Sequence, residues 1–451
     1  MNKNKNFEID MCNGPIFPKM LRFAIPLMCS SVLQLLFNAT DIVVVGRFAG
    51  DNSLAAVGST TSLINLLVNI FIGFSVGVNV LVARYYGAKQ KQELKRTVHT
   101  AIGLSILSGI ILTVTGIIFA KQLLYLMDTP KEVLELAAVY LKIYFCGMVA
   151  NMIYNFGSAI LRAVGDTKRP MYYLLFAGCV NVVFNLFFVI ILKMDVAGVG
   201  LATVISQCIS AFLILRCLIK ENGDIHLSLK EVSLNRGIVI KILRIGLPAG
   251  FQGVVFSLSN VVIQASVNSF GSVVMAGNAA AANIEGFVYV SMNAYHQAAL
   301  SFMGQNIGAG KYERMNKVLF CSLMCVTVVG IVLGNGAVIA GNELLSIYSS
   351  KSEVIAAGLM RLEVICRLYA LCGIMDVFVG ALRGMGYSVI PMIVSLAGAC
   401  GIRLVWIATI FKVSQFHNMT VLYLSYPVSW VMTFVVLIIC YIFVYKKVCK
   451  K

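Results

Sequence analysis

Residues 160–170 read ILRAVGDTKRP, and residues 381–391 read ALRGMGYSVIP. Arg162, Gly165 and Pro170 of the first stretch become Arg383, Gly386 and Pro391 of the second, each 221 positions on. Two further blocks keep that spacing to within one residue. KMLRFAIP at 19–26 returns as KILRIGLP at 241–248, and Tyr86-Gly87-Ala88-Lys89 opens a basic loop whose counterpart, Ile307-Gly308-Ala309-Gly310-Lys311, follows 221 residues later. Three matched blocks in one order, at shifts of 221 or 222, define an internal repeat.

What fills each repeat is apolar. The chain has 451 residues, of which 59% are hydrophobic and only 12% charged. A soluble fold needs more polar surface than that to cover its core, so long runs must face lipid. Segments long enough to cross a bilayer fall at 20–46, 54–82, 97–120, 133–161, 170–192 and 197–219, then at 239–265, 273–303, 316–340, 354–382, 388–411 and 419–445. Alternating strands of the barrel type are absent, which leaves the helix as the backbone solution. The expectation is an all-α membrane protein of twelve spans. It divides into an N-terminal six-helix bundle (1–220), a linker (221–238) and a C-terminal six-helix bundle (239–451). Six spans per repeat is an even number, so the two bundles run parallel about an axis along the membrane normal. Two such bundles can rock about a cleft, an architecture suited to alternating access.

The net charge of +17 invites a nucleic-acid reading, and its distribution argues against one. If the N-terminus is cytoplasmic, 26 of the 36 Lys and Arg residues fall in cytoplasmic segments and six fall on the other side. That alternation is the positive-inside pattern. Both termini are therefore expected in the cytoplasm, and the chain in a bacterial inner membrane. The first apolar run is too long for a signal peptide, so the first helix is expected to stay in the membrane. The thirteen cysteines form no CxxC and read as small buried hydrophobes; the four histidines are scattered. Neither pattern points to a metal or another cofactor.

NATDIVVVGRFAG at 38–50, LAAVG at 54–58 and ILRAVGDTKRP in the first half resemble the multidrug and toxic compound extrusion (MATE) family. So do GLPAGFQ at 246–252, GQNIGAGK at 304–311 and GALRGMG at 380–386 in the second. The resemblance covers nearly the whole chain. It implies a secondary-active antiporter that exports drug-like, often cationic, compounds against an inward flow of H⁺ or Na⁺. A monomer is expected, with membrane lipid as its other partner.

Ionisable groups at bilayer depth are costly, so each is a functional candidate. Asp41 stands in the first span, fifteen residues past Pro26. The resemblance points to the same residue as the coupling carboxylate, and implies partners at Asn181, Asn185 and Thr203. Some relatives carry Asp at the position of Asn185. One carboxylate with neutral oxygens can hold Na⁺ or hydrogen-bond as a protonated acid. Gln34 and Asn38 share the first helix with Asp41 and are candidates for the substrate cavity, together with Gln252, Glu285, Met292 and Asp376. Many relatives place a Glu in the seventh span; here FQGVVFSLSN at 251–260 has Gln252 instead, so Asp376 is expected to inherit the C-half carboxylate role. Arg361, Arg367 and Arg403 are expected to pair with Glu285 and Glu363. If left free, they would favour a rival reading, a flippase for lipid-linked sugars that needs a cationic cavity. An intramembrane enzyme would need HExxH or paired His and Asp at depth, and neither occurs.

Overall fold

The computed structural model describes residues 7–127 and 129–450. Among them the structure is helical, with no strand. The first half contains α1 (Ile16–Phe48), α2 (Asp51–Gly87), α3 (Lys91–Leu126), α4 (Lys131–Cys146), α5 (Met148–Ala163), α6 (Lys168–Leu186) and α7 (Asp195–Lys220). The second contains α8 (Arg236–Asn268), α9 (Ser272–Gly308), α10 (Tyr312–Ile339), α11 (Gly341–Ser346), α12 (Ser352–Cys366), α13 (Ala370–Gly384), α14 (Val389–Ser395), α15 (Arg403–Ala408) and α16 (Met419–Cys449). In lipid every backbone amide must be satisfied inside its own segment, which the helix alone does for these apolar runs.

Among the described residues, ten helices are long and apolar enough to cross a membrane on their own. Two more spans are broken helices: α4 with α5, and α12 with α13, each pair bent by 48°. That makes twelve. The breaks obey the repeat, since the first pair runs from Lys131 to Ala163 and the second from Ser352 to Gly384, 221 residues on at both ends.

The turns repeat as closely as the helices. Gly50 and Gly271 have φ of 89° and 93°, Gly165 and Gly386 have 95° and 90°, and Lys89 and Gly310 have 56° and 69°. Each pair is again 221 apart. Gly165 shows why its motif is built as it is. A Cβ there would sit 2.6 Å from the backbone N and O of Ile9, so the left-handed turn also has to be bare. One residue on, Asp166 Oδ1 accepts from the amides of Lys168 and Arg169 at 3.2 and 3.1 Å and so caps the start of α6. Its other oxygen holds Arg169 Nε, while Arg169 Nη1 donates to Glu221 at 2.8 Å.

Packing resolves the chain into two units. The first comprises residues 7–10 and 29–250; the second comprises 11–28 and 251–450. In the first, α5 lies against α2, α3 and α7, with Met152, Phe156 and Ile160 fully buried. The opening turns of α8 belong here: Lys241 donates to the Tyr85 hydroxyl at 3.0 Å, and Gly73 of α2 faces Gly246 and Gly250 so closely that neither side has room for a Cβ. In the second unit α9 and α13 form the centre. The opening of α1 packs with them, Phe23 edge-on to Phe302 at 5.8 Å and Asn306 donating to the Met11 carbonyl at 3.2 Å. All thirteen cysteines are free. Only five are buried; Cys29, Cys146, Cys179, Cys208 and Cys449 are exposed, because in a membrane helix the apolar rule no longer separates inside from outside.

Candidate functional site

Asp41 lies on α1 one turn beyond Asn38 and two beyond Gln34, so the three share a face. In the first unit that face meets α6 and α7. Asn185 Nδ2 donates to Asp41 Oδ1 in a short contact. The same nitrogen lies 3.2 Å from Asn181 Oδ1, and Asn181 Nδ2 lies 3.5 Å from Thr203 Oγ1. Thr203 in turn donates to the Val199 carbonyl at 2.9 Å. The four residues thus form one hydrogen-bonded chain across three helices. Asp41 is 9% exposed and Asn185 fully buried. Directly after Asn185 and Leu186 the helix widens into a π-turn at Phe187–Ile191, a distortion that re-aims side chains and recurs at functional sites.

A cavity of about 250 Å³ opens beside this chain, wholly within the first unit. Gln34, Asn38, Asp41, Asn181 and Thr203 line it, joined by Tyr140 and Tyr144 of α4, Asn151, Tyr154 and Asn155 of α5, and Ser206, Gln207 and Ser210 of α7. Asp41 is the one carboxylate in a wall of hydroxyls, amides and phenol rings. Such a wall can solvate one positive charge and hydrogen-bond a polar scaffold. Among the described residues no three His, Cys, Asp or Glu side chains converge as metal ligands. The donor set at Asp41 suits a proton or a hard monovalent cation. The α5 amides were missed from the sequence, although Asn151 and Asn155, one turn apart in an apolar helix, carry the same signal as Asn181 and Asn185.

The remaining candidates lie in the second unit and do not form one site. Glu285, 7% exposed, is held by Arg361, whose Nε and Nη2 both donate to Oε2 at 3.0 and 2.7 Å. Arg361 Nη1 donates to Asn278 Oδ1 at 2.7 Å, and the same oxygen accepts from the Tyr423 hydroxyl at 3.0 Å. Arg367 lies 3.6 Å from Glu363. Two of the three arginines therefore pair as expected; Arg403 does not, donating through Nε to Ser429 Oγ at 2.9 Å. Asp376 lies near Tyr289 and Asn293, with Arg383 as its nearby cation. Arg383 Nη2 reaches Gln252 Oε1 at 2.8 Å, which ties two of the candidates into one buried network. Met292 is 1% exposed and its sulfur fills the space beside Gly330 and Gly373, where α9, α10 and α13 meet. Tyr144 and Tyr154 reach the first unit's cavity, while Met148 and Met375 are packed in the core.

The family model described as MatE matches residues 26–187 and again 248–409, one match per repeat. The chain is 28% identical over 444 residues to the "Probable multidrug resistance protein YoeA" of Bacillus subtilis (strain 168), covering 96% of this chain and 95% of that one. It is 21% identical over 373 residues to the "Multidrug export protein MepA" of Staphylococcus aureus (strain NCTC 8325 / PS 47), covering 83% and 82%. The fold matches that in "Outward-facing conformation of a multidrug resistance MATE family transporter of the MOP superfamily" with a TM-score of 0.90, at 21% identity and 98% coverage of both chains.

Proposed function

Because the chain belongs to the MatE family of membrane transporters, we propose that it exports organic, cationic small molecules by ion-coupled antiport, with Asp41 as the coupling carboxylate. One observation carries this reading. In a chain of apolar spans, a single carboxylate sits on the wall of a polar cavity and is tied through Asn185 and Asn181 to Thr203. The relatives whose names speak of multidrug resistance and export support drug-like small molecules as the substrates.

The chemistry follows from charge at depth. An ionised Asp41 attracts a cationic substrate into the cavity, and a proton or Na⁺ on the same group cancels that attraction. Asn185 suits both states: its amide nitrogen donates to the ionised carboxylate, while its buried carbonyl oxygen has no partner and could accept from the protonated acid after the amide turns. The ion drives transport only to the extent that it binds the inward- and outward-open states differently. The chain is placed in a bacterial cytoplasmic membrane with both termini inside, on the asymmetry of its basic residues.

The test is export of a cationic dye in proteoliposomes with pH and Na⁺ gradients imposed one at a time. One gradient should drive uphill dye movement, and Asp41→Asn should abolish that drive while dye still binds. Uphill export at the wild-type rate by Asp41→Asn would remove Asp41 from the coupling role.

A further inference from the structure

Of Arg361, Arg367 and Arg403 in the second unit, two pair with carboxylates, Arg361 with Glu285 and Arg367 with Glu363. The third, Arg403, is held differently. It is 4% exposed, begins α15 directly after a seven-residue π-segment (Leu396–Ile402), and stacks over Tyr426 with 4.1 Å from the guanidinium carbon to the ring centroid. Trp430 flanks it at 5.7 Å. Its Nε donates to Ser429 Oγ, which fixes one edge of the planar fork. The opposite edge, Nη1 and Nη2, carries no hydrogen bond to any described residue, and neither nitrogen is among the sealed buried atoms. Among the described residues no carboxylate pairs with Arg403. The repeat fixes its level in the fold: Arg403 stands 221 residues after Val182, next to the counterpart of Asn181.

A buried guanidinium with its stem fixed, its face stacked and its forked edge open is the arrangement that takes a carboxylate in two parallel hydrogen bonds. Burial makes an unmet positive charge costly, so an anionic group arriving there gains more than it would at a surface. We propose that Arg403 forms an anion subsite in the second unit, through which the transporter recognises the carboxylate of amphoteric substrates. This rests on the reading above that the chain binds organic cations, and it adds that cations bearing a carboxylate are preferred to the same cations without one. The polarity of the two repeats is thereby opposite, with Asp41 the lone carboxylate on the wall of the first unit's cavity and an open guanidinium in the second.

The experiment compares two dyes that share one cationic ring system: rhodamine 110, which carries a free carboxylate, and its methyl ester, rhodamine 123. Binding to the detergent-purified full chain is read by fluorescence anisotropy, which needs no ion gradient. Arg403→Met should weaken rhodamine 110 by about tenfold or more, the loss expected for a charge-assisted hydrogen-bonded pair, and leave rhodamine 123 unchanged, which also certifies that the variant is folded. Ser429→Ala keeps the charge but frees the fork, and should weaken rhodamine 110 alone by a smaller factor. If Arg403→Met loses both dyes, the Ser429→Ala result decides, a selective loss supporting the subsite and an unchanged rhodamine 110 affinity overturning it. Equal affinities of the wild type for the two dyes, or an unaltered rhodamine 110 affinity in Arg403→Met, overturn the subsite and leave the proposed export standing. A wild type that binds neither dye defeats both.

Discussion

Arg361→Met should be among the most damaging single changes in the second unit, and adding Glu285→Gln to it should restore stability. Arg361 makes two hydrogen bonds to Glu285 and one to Asn278, with its guanidinium carbon 5.5 and 5.6 Å from the rings of Tyr423 and Tyr426. Removing the cation leaves a carboxylate in the bundle interior with no compensating charge, a loss of about 3–5 kcal/mol for a buried pair broken from one side. Glu285→Gln alone is milder, because Arg361 keeps Asn278 and two aromatic faces; losing a charge-assisted bond there costs about 1.5–3 kcal/mol. The double variant leaves no charge at this pair, and Asn278 still accepts from Tyr423. It should therefore be more stable than Arg361→Met, with a coupling energy near 2–3 kcal/mol, within the range for contacting residues. Equilibrium unfolding in mixed micelles titrated with SDS would measure all four proteins. Effects that add to within about 0.5 kcal/mol, as independent sites do, would refute the pairing. So would a double variant less stable than Arg361→Met.

Gly165→Ala should lower the thermal midpoint in detergent more than Gly310→Ala. Both adopt a positive φ, but only at Gly165 would the new carbon meet backbone, at a strain cost of about 1–3 kcal/mol; equal shifts would refute the steric part. Glu8, which accepts from the Tyr86 hydroxyl at 3.0 Å, has its carboxyl pushed above the ordinary range by burial, against the lowering effect of that bond. A raised folded-state value means the folded chain holds this proton more tightly, so docking of the segment strengthens below the ordinary carboxylate value and is lost as pH rises through the raised one. The ratio of proteolytic nicking near Glu8 in wild type to that in Glu8→Gln should rise with pH across that window, and a flat ratio would refute it. In a background without the exposed native cysteines, Lys351→Cys should be labelled by an impermeant maleimide in intact cells, whereas labelling only after lysis would invert the topology.

Much of the fold was legible because the repeat is written in turns as well as helices. Gly165 and Gly386 mark the same left-handed turn, and a residue that only glycine fills comfortably leaves a readable trace. The breaks within the fourth and tenth spans were not legible. Cys146-Gly147-Met148 and Cys366–Ala370 contain no proline to mark the 48° bends, so each pair reads as one run. At the candidate site, Asp41, Asn181, Asn185 and Thr203 come together as expected. A polar side chain in an apolar helix has few alternatives to another polar side chain. The open edge of Arg403 was hidden for the complementary reason. The sequence offered Glu285 and Glu363 as partners for three arginines, and geometry alone decides which two take them.

The division of α1 and α8 has a consequence for how the protein is made. Residues 11–28 are made long before the surfaces they pack on, since Phe302, Asn306 and Ser322 are synthesised almost 300 codons later. The first unit likewise waits for the opening turns of α8, which end at residue 250. Neither unit can close while the chain is half made, and the opening turns of α1 must spend most of translation in company that is not native. Contacts so distant in sequence form slowly and leave apolar surface unclaimed meanwhile. A chain halted after residue 220 would be an unfinished unit rather than a smaller transporter, with the opening turns of α1 still lacking the surfaces they pack on.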